Sequence, residues 1–393
     1  MNIRLLYLSA VTEGTVDSSR RHFFQLAGAA GILALSKTSI ASPLSLFDSP
    51  GATSPATTAP PIFPYAERSK VALIHGDNRR KNVFDALLAI DSELKAGLQR
   101  KKYVIIKPNN VSTEKQLAST HVDALNGILD YLAPRFRGPL MIAESSAGDT
   151  LEGYSNLGYK PLEREWRSHQ LSLLDLNREA KYETHTLIDF DLHITPVRLA
   201  ARLFDPDAYI ICCAVLKTHN AAVASLSVKN MVLGAPLHSP PGDGNWSDKR
   251  KYHVGVRQMQ YNMLLTAQKM RPFWGATVID GYEGMEGNGP TSGTPVNSRL
   301  AIASTDYIAA DRVALEAMSI NSLWPGYLVY CGQTGLGQYD LSKIDIIGSS
   351  IASVQKKYRL HSDIDRELQW MGPMEDLPPK LGRLPTNHEF LYG

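Results

Sequence analysis

Cysteine is scarce in this 393-residue chain: Cys212, Cys213 and Cys331 are all it has. No two of them form a Cys-x-x-Cys pair, so neither a ferredoxin-type cluster motif nor a zinc ribbon can be read, and an iron–sulfur cluster is not expected. Three thiols also make no disulfide framework, so the fold must rest on its core, which a chain of this length can build. Cys212 and Cys213 adjoin inside an apolar run. On a strand their side chains point to opposite faces, and buried thiols are the expectation. The chain has no His-Glu-x-x-His zinc motif, no Gly-Lys-Ser/Thr phosphate loop and no Gly-x-Gly-x-x-Gly opening a helix. Surplus charge is absent too. Four of the 41 basic residues (Arg4, Arg20, Arg21, Lys37) and two of the 39 acidic ones (Glu13, Asp17) lie in positions 1–41, leaving 37 of each. A neutral body argues against nucleic acid or an anionic membrane surface as a partner. With 44% hydrophobic and 20% charged residues, the composition is that of a globular protein and excludes disordered and fibrous classes for the bulk of the chain.

The first 41 residues carry a distinct pattern. Ser19-Arg20-Arg21-His22-Phe23-Phe24-Gln25 resembles the twin-arginine export signal, Ser/Thr-Arg-Arg-x-Phe-Leu-Lys, with Phe24 and Gln25 in place of Leu and Lys. The apolar stretch Leu26–Leu35 that follows is ten residues long, against the roughly 20 needed to span a bilayer. Ser39-Ile40-Ala41 is a small-x-small cleavage pattern. Residues 1–41 are therefore expected to be a signal peptide read at Arg20 and Arg21 by the twin-arginine translocase. The mature chain would be periplasmic or otherwise extracytoplasmic, with no stable membrane span. That route carries folded proteins, often with a cofactor already inserted. Residues 42–67 are a Pro/Ser/Thr-rich linker. Residues 351–393, less regular and containing Pro378-Pro379, read as a tail that wraps the domain.

Between 68 and 350, short apolar runs alternate with longer periodic segments. The runs at Val71–His75, Tyr103–Lys107, Leu140–Ala143, Leu171–Leu174, Tyr209–Leu216, Ala276–Ile279, Arg299–Ala303 and Ile344–Ile347 suit strands covered on both faces. Helices are expected near 82–100, 121–133, 221–233, 254–270 and 306–319; Val122, Leu125, Ile128, Leu129 and Leu132 recur at helical spacing. The alternation predicts an α/β fold: three layers, a mostly parallel sheet with helices on both faces.

Four of these strands end in an abrupt switch from apolar to polar residues: at Lys107-Pro108-Asn109-Asn110, Glu144-Ser145-Ser146, Lys217-Thr218-His219-Asn220 and Asp280-Gly281-Tyr282-Glu283. Ligands of open α/β sheets bind outside the carboxyl ends of strands, so all four ends would converge on one crevice. Lys107, Lys217 and Lys229, with Asn109 and Asn230, suit an anion such as phosphate or carboxylate. Ser225 and Lys229, four apart, would share a helix face. His219 and Glu144 are candidates for proton transfer, with His121, His238 and His253 as partners at no fixed ligand spacing. Five glycines between 281 and 293 would let a loop close over a ligand through Gly287, Asn288 and Gly289. Asp280, Glu283 and Glu286 in that loop suit a divalent metal or an acid/base pair. Asp306 reads as a helix N-cap; Asp311, on an apolar helix, needs either a site role or an ion pair near Arg312.

These residues taken together resemble the domain of unknown function family 362: Lys107-Pro108-Asn109, Thr120-His121, Glu144-Ser145, Gly158-Tyr159, Lys217-Thr218-His219, Val228-Lys229-Asn230, the Asp280–Pro290 stretch, and Asp306 with Asp311, in order from about 100 to 350. Many members of that family carry ferredoxin modules, which implies redox work for those. This chain lacks the cluster-binding cysteines. The expectation is thus an exported enzyme acting on an anionic small molecule, with or without a divalent metal. A non-catalytic ligand-binding protein and a redox protein loaded with its cofactor before export stand as alternatives.

Overall fold

Aliphatic and β-branched runs become strands here because both of their faces are covered. The computed structural model of the protein describes residues 61–372, Ala180 excepted. The segment expected as a signal, with Arg20 and Arg21, most of the expected 42–67 linker and residues 373–393 lie outside the described residues. The strands are β1 (Ser69–His75), β2 (Tyr103–Lys107), β3 (Leu140–Glu144), β4 (Ser172–Asp175), β5 (Tyr182–Ile188), β6 (Ile194–Ala200), β7 (Ala208–His219), β8 (Val223–Ser225), β9 (Trp274–Glu286), β10 (Thr294–Ser304) and β11 (Ile344–Gly348). The main sheet runs β11-β1-β10-β9-β7-β2-β3-β4, with β8 folded back on β7. Along this row only β10 runs antiparallel to its neighbours. The mostly parallel α/β sheet inferred from the sequence is the architecture found.

Helices cover both faces. On one side lie α1 (Arg79–Ala89), α2 (Asp91–Leu98), α3 (Val122–Leu132), α4 (Thr150–Asn156) and α5 (Lys160–Glu165), packing Val83, Leu94, Leu125 and Tyr154 against Val104, Ile106, Ile211 and Cys213. On the other lie α6 (Ser227–Gly234), α7 (Val256–Met270), α8 (Tyr307–Ala317) and α9 (Gly326–Gln333), packing Met231, Met263, Ile308 and Leu328 against Ile105, Ile210 and Cys212. Cys212 and Cys213 therefore enter opposite cores, and all three thiols are buried and free. No helix among the described residues is long and apolar enough to cross a membrane.

Three elements differ from the sequence reading. The helix expected over 82–100 is two, α1 and α2, divided at Ile90 (φ −114°, ψ 25°), where Asp91 starts the second. The helix expected from 221 begins only at Ser227. Val223 adopts φ 64°, outside any helix, and residues 223–225 pair with Lys217–His219 instead. Ser225 and Lys229 thus do not share a helix face. The third difference is the glycine-rich stretch expected as a loop. It is strand β9 as far as Glu286, paired with β10 from Thr294↔Glu286 to Ser304↔Thr277. Its glycines make room for neighbours rather than for a ligand: a Cβ on Gly281 would meet Leu300 at 2.5 Å and Leu216 at 2.8 Å.

The order of strands also locates a crevice. The chain moves outward through β2, β3 and β4, then returns to lay β7 on the other side of β2. A cleft opens beyond the carboxyl ends where such a reversal occurs.

Candidate functional site

That cleft holds a cavity of about 200 Å³, lined by Asn109, Asn110, Glu144, His219, Ser225, Lys229, Asn230, Lys249 and His253 among others. A volume of about 150 Å³ is enough to hold a benzene-sized molecule, so the space suits a small ligand. Three of the four strand ends expected to converge do so: β2, β3 and β7. The fourth does not. Asp280 ion-pairs with Arg79 at 3.2 Å and accepts from the Tyr282 amide at 3.0 Å, outside the cavity lining.

The floor of the cavity is a buried ion pair. Lys107 donates to Glu144 (3.0 Å), Asn230 Oδ1 (2.9 Å) and the Pro108 carbonyl (3.0 Å). Glu144 accepts in addition from the amides of Ser145 (2.8 Å) and Asn110 (3.2 Å). Both side chains are essentially excluded from water. With its oxygens so engaged, Glu144 serves as a counter-ion rather than a free base. Asn230 accepts from Asn109 Nδ2 at 3.2 Å as well, and Asn109 Oδ1 is buried without a donor. Tyr159 donates to Asn110 Oδ1 (3.1 Å) and to the Thr120 carbonyl, so the resemblance residues Thr120 and Tyr159 brace this floor from behind.

The walls carry the titratable groups. Lys229, on α6, is only 6% exposed and lines the cavity. Burial, then the nearby Lys217 and Lys249 ammoniums, hold its pKa well below the ordinary lysine value. Lys249 lies on the turn Asp248–Tyr252 and donates to the Leu233 carbonyl at 3.0 Å; burial brings its pKa down to about 7. The two histidines complement each other. Nδ1 of His219 accepts from the Ala221 amide at 3.0 Å, so in the neutral ring the proton sits on Nε2, a donor. Nδ1 of His253 faces the Lys249 carbonyl at 3.1 Å and must donate, which leaves Nε2 as an acceptor. Burial lowers both pKa values, that of His253 to about 4, so both rings are neutral at pH 7.

Other expected site residues stand elsewhere. Lys217 is fully buried and gives its ammonium to the Ala118 carbonyl at 2.6 Å, away from the cavity lining, with its pKa brought to about 7 by burial. Gly287 is tied through its carbonyl to Thr218 Oγ1 (2.8 Å) and through its amide to Arg359 (2.7 Å). Asn288 is exposed and Gly289 packs on the Thr218 backbone; of this turn only Pro290 lines the cavity. The three carboxylates expected to share a metal are dispersed: Asp280 to Arg79, Glu283 exposed, Glu286 to the Arg359 amide at 2.8 Å. Among the described residues no three His, Cys, Asp or Glu side chains stand together as a ligand group. His121 caps α3 and His238 pins the Ser146 carbonyl (2.6 Å). Asp306 caps α8, as expected. Asp311 takes neither role weighed for it. It accepts from the Ser227 and Val228 amides (2.8 and 3.0 Å) and so caps α6, the helix that presents Lys229.

The sequence reading passed over Lys249 and Glu367. Glu367, from the short helix Ile364–Glu367, is wholly buried; Oε2 accepts from the Val223 amide at 2.5 Å and Oε1 has no donor. Neither residue sits at a strand end, so nothing in the local pattern marks them.

No curated protein matches the chain. A crystal structure of a protein from Thermotoga maritima is similar over 54% of this chain and 52% of its own, at 11% identity and a TM-score of 0.38. The chain thus spans about half the length of that protein. Residues 104–316, more than half of the sequence, match the family model described as domain of unknown function (DUF362), and the chain belongs to that family.

Proposed function

We propose that this chain is an enzyme acting on a small anionic molecule held in the cavity beyond β2, β3 and β7. One observation carries the reading. Among the described residues two lysines and two histidines face the cavity, while the one lining carboxylate, Glu144, is already neutralised by Lys107. A ligand bringing negative charge supplies the counter-ion that Lys249 lacks, beside the amine of Lys229. The Nε2–H of His219 then donates to a ligand oxygen, and Nε2 of His253 takes or returns a proton. The Arg20-Arg21 leader supports export of the folded protein by the twin-arginine translocase.

Calorimetry with phosphate and with short mono- and dicarboxylates tests the binding step, and NMR of the same mixtures tests turnover. At least one class should bind, and Lys249→Met should abolish that binding while the fold is kept. A ligand that binds and is recovered unchanged would make this a binding protein. Equal affinity in the Lys249→Met variant would sink the anion site.

A further inference from the structure

The four lysines around the cavity are not equivalent. Lys107 has three acceptors, Lys217 has the Ala118 carbonyl and Lys249 has the Leu233 carbonyl. The Nζ of Lys229 meets no acceptor among the described residues, although the residue is 94% withdrawn from water and lines the cavity. Glu367, the carboxylate whose charge Lys229 feels, already accepts from Val223. We propose that Lys229 is a nucleophile that forms an imine with a small carbonyl-bearing acid, a 2-oxo acid, whose carboxylate lies against Lys249. This rests on the anion reading above and names its substrate class.

The chemistry follows from the neighbours. A lysine deprived of water and set beside other cations exists as the free amine, and the free amine attacks carbonyl carbon. Its depressed pKa agrees. The Nζ lone pair forms the C–N bond as the carbonyl π pair moves to oxygen, which the Nε2–H of His219 stabilises. Nε2 of His253 takes a proton from the new ammonium and delivers it to that alkoxide, giving the carbinolamine. The nitrogen lone pair then expels hydroxide, which leaves as water with the iminium proton. The balance is one carbonyl and one amine to one imine and one water, with no outside oxidant or reductant. Lys107 cannot take this role, because all of its protons are donated; Lys217 does not line the cavity.

The test uses the full chain with glyoxylate or pyruvate and sodium cyanoborohydride at pH 7, followed by peptide mapping by mass spectrometry. Reduction fixes any imine as a stable secondary amine. Label should collect on Lys229 ahead of the exposed Lys160 and Lys181. It should be lost in both Lys229→Met and Lys229→Arg, the second of which keeps a long basic side chain without a nucleophilic amine, and His253→Ala should slow it. Calorimetry with the same acids separates the two levels. Binding with label only on exposed lysines overturns the nucleophile and leaves the anion site standing. Neither binding nor label at Lys229 overturns both.

Discussion

Lys107 and Glu144 come from the ends of adjacent parallel strands and meet at 3.0 Å with 0% and 3% of their side chains exposed. A pair of this kind is strongly interdependent, because removing one member leaves the other charged and dry. Lys107→Met or Glu144→Gln should each lower the unfolding free energy by about 3–5 kcal/mol in denaturant melts. Lys229→Met removes a buried amine that meets no acceptor among the described residues and should leave stability unchanged or raise it. Equal losses at all three positions would mean that Lys229 is structural.

Gly234 closes α6 directly over that pair. A Cβ added there would fall on Nζ and Cε of Lys107 and within 3.3 Å of Glu144 Oε1. Gly234→Ala should therefore push Lys107 from its three acceptors, lowering the melting temperature and weakening anion binding together. An alanine variant indistinguishable from the parent would show that this contact is looser than it stands here.

Binding of an anion should depend on pH with a fixed sign. Burial brings the Lys249 pKa down to about 7. A bound anion favours the ammonium and draws that pKa upward. Affinity is therefore full below about pH 7 and falls as pH rises above it, by up to roughly tenfold per pH unit for each proton taken up. Titration calorimetry at pH 8 in buffers of different ionisation heat should report proton uptake. Release of protons, or a heat independent of buffer, would contradict the assignment.

The proposed export signal makes a cellular prediction. Changing Arg20 and Arg21 together to Lys should retain the chain in the cytoplasm, read by fractionation and blotting. An unchanged distribution would remove the twin-arginine reading.

The sheet was legible because its strands are covered on both faces, so each reads as an unbroken apolar run. Where covering is achieved by other means, the signal fades. Gly281 and Gly284 give β9 the look of a loop because room for Leu300 and Tyr358 is made by absent side chains. Val223 belongs by composition to a helix, yet the chain turns there through a positive φ, and its amide is held by Glu367, 144 residues away. Polar strand ends pointed to Lys107, Glu144, His219 and the nearby Lys229. They also pointed to Lys217 and Asp280, whose side chains turn instead to Ala118 and Arg79. Lys249 reaches the cavity from a turn that follows the Pro240–Asn245 loop, where residue type carries no periodic signal. His253, weighed as a partner for His219, comes from the same segment.

The buried Glu367 has a consequence for how the protein comes into being. The cavity draws on residues near 109, 144, 219, 253 and 290, and the Val223 turn beside it is held by a carboxylate near the far end of the described chain. A growing polypeptide therefore carries an unfinished pocket until Pro290 is made, and an unbraced Val223 turn until Glu367 is made. Docking of the helix that carries Glu367 is thus the step that joins sequence-distant residues beside Lys229.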